Sequence, residues 1–140
     1  MIVLDTNVVS EVIGPRPDKH VVSWVHSCVV TQTYITSVTA AELLYGVAKL
    51  PQGRRKDMLA EKVQNMLRDA YDGRIEPFDV AAAGHYAMIV ASREGKGRPI
   101  EVADAQIAAI CRKHGATLAT RNAKDFEGTG VEVVNPWEAD

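Results

Sequence analysis

Cysteine is scarce in this 140-residue chain: only Cys28 and Cys111 occur, far apart and with no histidine at zinc-ligand spacing. That scarcity excludes a disulfide framework, gives no support to a zinc site, and suits buried thiols in a reducing compartment. Long apolar runs are missing too. No stretch approaches the roughly 18 to 20 residues a membrane span requires, and the apolar start lacks the basic segment of a signal peptide. Neither sign of charge predominates: sixteen Lys and Arg against eighteen Asp and Glu leave a formal net charge of −2. Any contact with nucleic acid therefore has to come from local patches rather than bulk attraction. His20, His26, His85 and His114 share no ligand spacing, Trp24 and Trp137 read as packing residues, and there is no internal repeat. With 46% hydrophobic and 24% charged residues, the balance predicts one globular domain over residues 1–140, soluble and cytoplasmic.

What is present alternates between two periods. Ile2-Val3-Leu4, Thr33 to Thr36, Arg74 to Pro77, Ala116 to Thr120 and Val131 to Val134 read as five short strands, the third of them weak. Between them, helices are predicted from Asn7 to Ile13, from near Asp18, from Ser37 with Val38, Ala41, Leu44 and Val47 as its apolar stripe and Leu43 and Leu50 widening it, from Arg54 to Tyr71, from Val80 to Ser92 behind an Asp79 cap, and from Glu101 to His114 with Gly115 closing it. Gly95 to Pro99 is the likeliest loop to move. Short apolar strands alternating with helices require crossovers, and so predict an α/β fold with a parallel sheet covered on both faces. Ligands in such sheets bind beyond the carboxyl ends of the strands, where the strand order reverses.

The acids collect at that rim. Asp5 ends the first strand, Glu42 lies six residues past the second, Asp104 falls in the first turn of the helix feeding the fourth, and Asn122 and Asp125 follow the fourth. Two carboxylates ~5 Å apart repel by roughly 3 kcal/mol at an effective dielectric of 20, so three together call for a cation or raised pKa values. Oxygen ligands without histidine or cysteine favour Mg²⁺ or Mn²⁺, whose chemistry beside phosphate is phosphodiester hydrolysis. Each acid also has a purely structural explanation. Asp5 could cap the first helix, Thr39-Ala40-Ala41-Glu42 fits a capping box with Thr39 as the cap, and Asp104 suits a helix N-terminus. Three independent caps would not need to share one end of one sheet, whereas a metal site would.

These residues carry a resemblance. Met1 to Glu11 (MIVLDTNVVSE), Ser37 to Leu43 (SVTAAEL) with Gly46, Ala103 to Ala109 (ADAQIAA), Ala119-Thr120-Arg121-Asn122 with Asp125-Phe126, and Asn135-Pro136-Trp137 follow the order and spacing of the PIN-domain toxins of the VapC family, and the chain is most similar to their FitB-like branch. The resemblance covers nearly the whole length. It implies a single PIN-like domain, an α/β/α sandwich with a five-stranded parallel sheet, and Mg²⁺- or Mn²⁺-dependent endoribonuclease activity. It further implies a homodimer, inhibition by a small antitoxin inserted near the site, and contact with operator DNA through that antitoxin. Asp5, Glu42 and Asp104 take the roles of metal-site acids, with Thr6 and Thr120 as hydroxyls beside them. Asn122 stands where FitB-like relatives often have a fourth aspartate. A neutral side chain there can orient water but adds no charge for a second metal, and Asp125 either substitutes or caps a short helix.

Arg121, Lys124, Lys96 and Arg98 flank the acidic rim and are the basic residues placed to guide an RNA strand. Two other readings compete. A haloacid-dehalogenase-like phosphatase would use Asp5 as a covalent nucleophile, but Asn7 replaces its second acid and the required lysine is not found. A non-catalytic regulator would keep the rim and act only through antitoxin and operator DNA.

Overall fold

The computed structural model describes residues 1–139. Strand β1 (Ile2–Leu4) leads into helix α1 (Thr6–Ile13), and α2 (Lys19–Ser27) follows behind an Asp18 cap that accepts from the His20 and Val21 N–H groups. Then come β2 (Thr33–Thr36), α3 (Ser37–Ala48), α4 (Arg54–Asn65), β3 (Ile75–Glu76), α5 (Val80–Gly95), α6 (Val102–His114), β4 (Thr117–Ala119) and β5 (Glu132–Val134). All five strands are parallel, in the order β3-β2-β1-β4-β5. The chain steps outward from β1 to β2 and β3, then returns to the other side of β1 for β4 and β5. The reversal lies between β1 and β4, which places the crevice between the ends of those two strands.

Alternation along the central strands divides the core into two layers. Val3 and Leu118 pack with Ile89, Ile107 and Ile110 of α5 and α6 on one face. Leu4 and Ala119, their chain neighbours, pack with Val8, Val9, Val21, Leu43 and Val63 of α1 to α4 on the other. The central strands β1 and β4 are therefore apolar at every position but Thr117, as suits strands covered on both faces.

Three local expectations need correction. Helix α3 starts at Ser37 as expected, but its cap is Thr36 and not the Thr39 of the alternative capping box: the Thr36 hydroxyl accepts from the Thr39 N–H at 3.1 Å. Rotation set by that cap turns Thr39 and Leu43 inward, so that of the predicted stripe Val38, Leu43 and Val47 pack on the core while Ala41 and Leu44 are exposed. The expected single helix from Arg54 to Tyr71 ends instead in a π turn over Met66–Ala70, closed by the Tyr71 N–H on the Met66 carbonyl at 2.9 Å. Helix α5 runs three residues past Ser92, which carries Arg93 into the helix. Gly115 at the end of α6 has φ +62°, the left-handed conformation that makes glycine the favoured residue at this helix stop.

Candidate active site

Asp5 is delivered by β1. Its N–H extends the ladder to the Ala119 carbonyl at 2.9 Å, and its side chain then turns to cap α1, with Oδ1 accepting from the Thr6 N–H at 2.8 Å. Oδ2 accepts from the Thr120 hydroxyl at 2.8 Å and from Asn7 Nδ2 at 3.4 Å. Asn7 completes a small ring: Nδ2 also donates to Thr120 Oγ1 at 3.2 Å, while Oδ1 accepts from the Arg121 N–H at 3.2 Å. The crevice between β1 and β4 is thus stitched by side chains more than a hundred residues apart in sequence. Asp5 is 5% exposed, and burial pushes its pKa above the ordinary value. The bonds from Thr120 and Thr6 oppose that rise, and the charges of Glu42 and Asp125 add to it. With three donors on a carboxylate that can accept about four, a lone pair on Oδ1 remains for one more partner.

Glu42 does not take the capping role its sequence context allows. Because Thr36 is the cap, Glu42 lies six residues into α3, and its Oε1 accepts from the Thr6 hydroxyl at 2.7 Å. Thr6 and Thr39 hydroxyls are 3.0 Å apart, and Thr36 lies 3.4 Å from Thr39. A hydroxyl has one proton and an ionised carboxylate has none, so the direction of the chain is fixed: Thr36 donates to Thr39, Thr39 to Thr6, and Thr6 to Glu42. Thr36 and Thr39 are both fully buried. Thr6 therefore serves two acids, Asp5 through its N–H and Glu42 through its hydroxyl.

Asp104 is the third residue of α6, where a helix N-terminus favours a negative charge. Its pKa is nevertheless pushed up to about 6, first by burial and then by the charges of Asp5, Asp125, Glu42 and Glu101. Burial, reinforced by the neighbouring acids, outweighs the helix end. Asp125 lies in a 3-10 turn, Ala123–Phe126, and does not cap it; Asn122 occupies the cap position without a side-chain cap bond, its N–H donating to Thr120 Oγ1 at 3.1 Å. Asp104, Asp125 and Glu101 line a cleft of about 450 Å³ with Arg93 and Pro99. A larger cavity of about 850 Å³ lies under α1, α2 and α4, and none of the acids placed at the rim lines it.

Among the predicted guides for RNA, Arg98 is paired with Glu127 at 3.0 Å, and Arg121 lies over the Trp137 ring at 4.8 Å. Lys96 and Lys124 form no ion pair among the described residues. Sequence reasoning gave Asn7 no contact of its own, and it missed Thr36, Thr39 and Arg93. Their partners lie across the fold, and only the cap-competent Thr36 carried a local signal.

Among the described residues the acids at this rim have no ion-pair partner. Among the described residues the ion pairs are Arg68–Asp69, Arg98–Glu127, Lys113–Asp79 and His114–Glu76, none of which involves Asp5, Glu42, Asp104 or Asp125. Carboxylates without an ion-pair partner, with Asp5 and Asp104 held above their ordinary pKa, and no histidine or cysteine ligand among the acids, fit a hard divalent cation. Among the described residues no three His, Cys, Asp or Glu side chains stand ready as a complete cage. The fit is therefore to a cation held by one or two carboxylates and completed by water, the habit of Mg²⁺. The same geometry disfavours Asp5 as a covalent nucleophile, since both its oxygens are tied down and it is almost wholly buried. No helix among the described residues is long and apolar enough to cross a membrane.

Residues 2–131 match the PIN domain family. The chain is similar to Toxin FitB of Neisseria gonorrhoeae, at 41% identity over 137 residues covering 98% of this chain and 99% of that protein. It is also similar to VapC ribonuclease Y4jK of Sinorhizobium fredii, at 38% identity over 138 residues covering 99% of each. Among solved structures, FitAB bound to a DNA fragment superposes with a TM-score of 0.93 and 39% identity, covering 100% of this chain and 98% of that one.

Proposed function

Because the chain belongs to the PIN-domain family, we propose that it is a ribonuclease, the toxin of a type II toxin–antitoxin pair, in which Asp5, Glu42 and Asp104 form the site of a Mg²⁺ or Mn²⁺ held directly by one or two of them and otherwise by water, for hydrolysis of RNA phosphodiester bonds. The observation that carries this reading is the gathering of carboxylates without an ion-pair partner among the described residues at the β1/β4 crevice, where an α/β sheet binds its ligands. Relatives named as a VapC ribonuclease and a toxin support the activity, and the FitAB structure bound to DNA supports a small antitoxin partner that links the toxin to operator DNA. A homodimer is part of the same proposal.

The cation, when bound, supplies positive charge against the charge building on the phosphate and acidifies a water. The chain's own groups prepare the ground. Thr6, Asn7 and Thr120 fix the Asp5 carboxylate, and the Thr36–Thr39–Thr6 hydroxyl chain fixes Glu42, so that neither has to reorganise. Asp104, with its pKa near 6, shares a proton with solvent in mildly acidic conditions and gives it up when a cation arrives. Asn122 is placed to orient a water, Asp125 to add negative charge on the far wall, and Lys96 and Lys124 to meet the phosphate backbone.

The test is cleavage of a structured RNA by purified chain. Cleavage is expected with Mg²⁺ or Mn²⁺, to stop with a chelator, and to fall at least ~100-fold in Asp5→Asn while circular dichroism stays unchanged. Cleavage that survives the chelator and Asp5→Asn alike would overturn the proposal.

A further inference from the structure

Arg93, in the last turn of α5, is only 6% exposed. A guanidinium removed from water needs acceptors for its five N–H groups, and the usual solution is a carboxylate. Among the described residues Arg93 has no ion pair. It donates instead to four main-chain carbonyls: Nε to Arg98 at 2.7 Å, Nη1 to Asp125 at 3.0 Å and Glu127 at 2.9 Å, and Nη2 to Pro99 at 3.4 Å. These acceptors belong to two segments well separated in sequence, Arg98-Pro99 and Asp125 to Glu127.

The first segment, Arg98-Pro99, runs directly into Glu101, the cap of α6, and so sets where that helix begins and where Asp104 stands. The second carries Asp125 itself and turns at Gly128, whose φ is +76° and where a Cβ would meet Arg93 Cδ at 3.7 Å. Both segments are walls of the cleft that Arg93, Asp104 and Asp125 line together. Outside the fork, the exposed Arg98–Glu127 pair joins the same segments at 3.0 Å. Only a planar, five-donor group can reach both walls at once; a lysine offers a point charge with three donors and cannot span the same carbonyls.

We propose that Arg93 is a positioning residue of the cation site: by bonding the carbonyls of Arg98 and Pro99 on one wall and of Asp125 and Glu127 on the other, it sets the spacing of Asp104 and Asp125 and with it the affinity of the cleft for a divalent cation. This rests on reading the acids as a cation site. Removing groups that orient metal ligands typically weakens metal affinity by about 10- to 100-fold.

The experiment is a Mn²⁺ titration of wild type, Arg93→Lys and Arg93→Met, followed by the electron paramagnetic resonance of free Mn²⁺, with thermal unfolding of each and RNA cleavage at saturating Mn²⁺. Arg93→Lys is expected to bind Mn²⁺ at least ~10-fold more weakly and to recover most of its cleavage when Mn²⁺ is saturating. A merely structural role would lower the number of binding sites with the folded fraction and leave the constant where it was. Folded Arg93→Lys with a Mn²⁺ constant within about two-fold of wild type would overturn the proposal. Wild type that binds no Mn²⁺ would bring down the cation reading and this proposal with it, an outcome distinct from equal binding by both. Should neither Arg93 variant fold, Gly128→Ala replaces them, because it strains the second wall from outside; an unchanged Mn²⁺ constant there would overturn the proposal too.

Discussion

Asp104→Asn removes a charge that the folded chain holds against its neighbours. The Asp104 pKa rises from 3.8 to about 6 on folding, which at about 1.36 kcal/mol per pKa unit sets a ceiling of about 3 kcal/mol. Asp104 is half-buried, so water screens much of this, and the helix N-terminus restores about 0.3–1 kcal/mol in favour of the charge. About 1 kcal/mol of destabilisation by the ionised group is left. The sign follows from a folded-state pKa above the unfolded one: below pH 3.8 both states are protonated and nothing is lost. Stability then falls as pH rises through about 6, above which the loss is complete. Without metal, Asp104→Asn should therefore melt with wild type near pH 4, and about 3–5 °C above it at pH 7.5, given the usual relation between stability and melting temperature in a domain of this size. Thermal melts with a chelator at pH 4, 6 and 7.5 measure this directly. Added Mn²⁺ should raise wild type more than the variant and close the gap. A variant less stable than wild type at pH 7.5 without metal, or a difference that ignores pH, would refute the reasoning and make Asp104 an ordinary helix-end charge.

Thr6→Val removes the donor to Glu42 and ends the hydroxyl chain, and should cut cleavage about 10-fold at a stability cost of about 1 kcal/mol; unchanged kcat would show that Glu42 needs no such support. Thr39→Val acts one step further back and should cost 1–3 kcal/mol, because it orphans the buried Thr36 hydroxyl, with a smaller loss of cleavage than Thr6→Val; the reverse ranking in kcat would contradict the assigned direction. Leu118→Ala empties a fully buried position of the central strand β4 and should lower unfolding free energy by about 2–5 kcal/mol in urea, leaving the cleavage rate of the folded fraction unchanged.

Much of this architecture could be read before any coordinate. Strand ends announced themselves because Leu4 and Ala119 are each followed by a polar residue, and in a parallel sheet that boundary is also the ligand rim. The start of α3 at Ser37 was legible too, but its cap was not: Thr36, Ser37 and Thr39 all qualify, and the capping box that Thr39 offered as a structural alternative for Glu42 is one the fold does not contain. The bond between Thr6 and Glu42 carried no such local mark, because it depends on α3 crossing α1 at one rotation. Arg93 was invisible for a different reason. An arginine ending an alanine-rich helix looks like a solvated charge, and its acceptors are main-chain carbonyls, which leave no mark in the sequence. Arg98 shows the converse, a loop cation that seemed free for phosphate and is engaged by Glu127.

The central claim is that the carboxylates at the β1/β4 crevice hold a divalent cation. Crystals grown with Mn²⁺ and measured at a wavelength where manganese scatters anomalously test it most directly. The account predicts an anomalous peak in contact with Asp5 or Asp104 and lost in Asp5→Asn; a map with no peak at that rim, or one only at a surface site elsewhere, would contradict it.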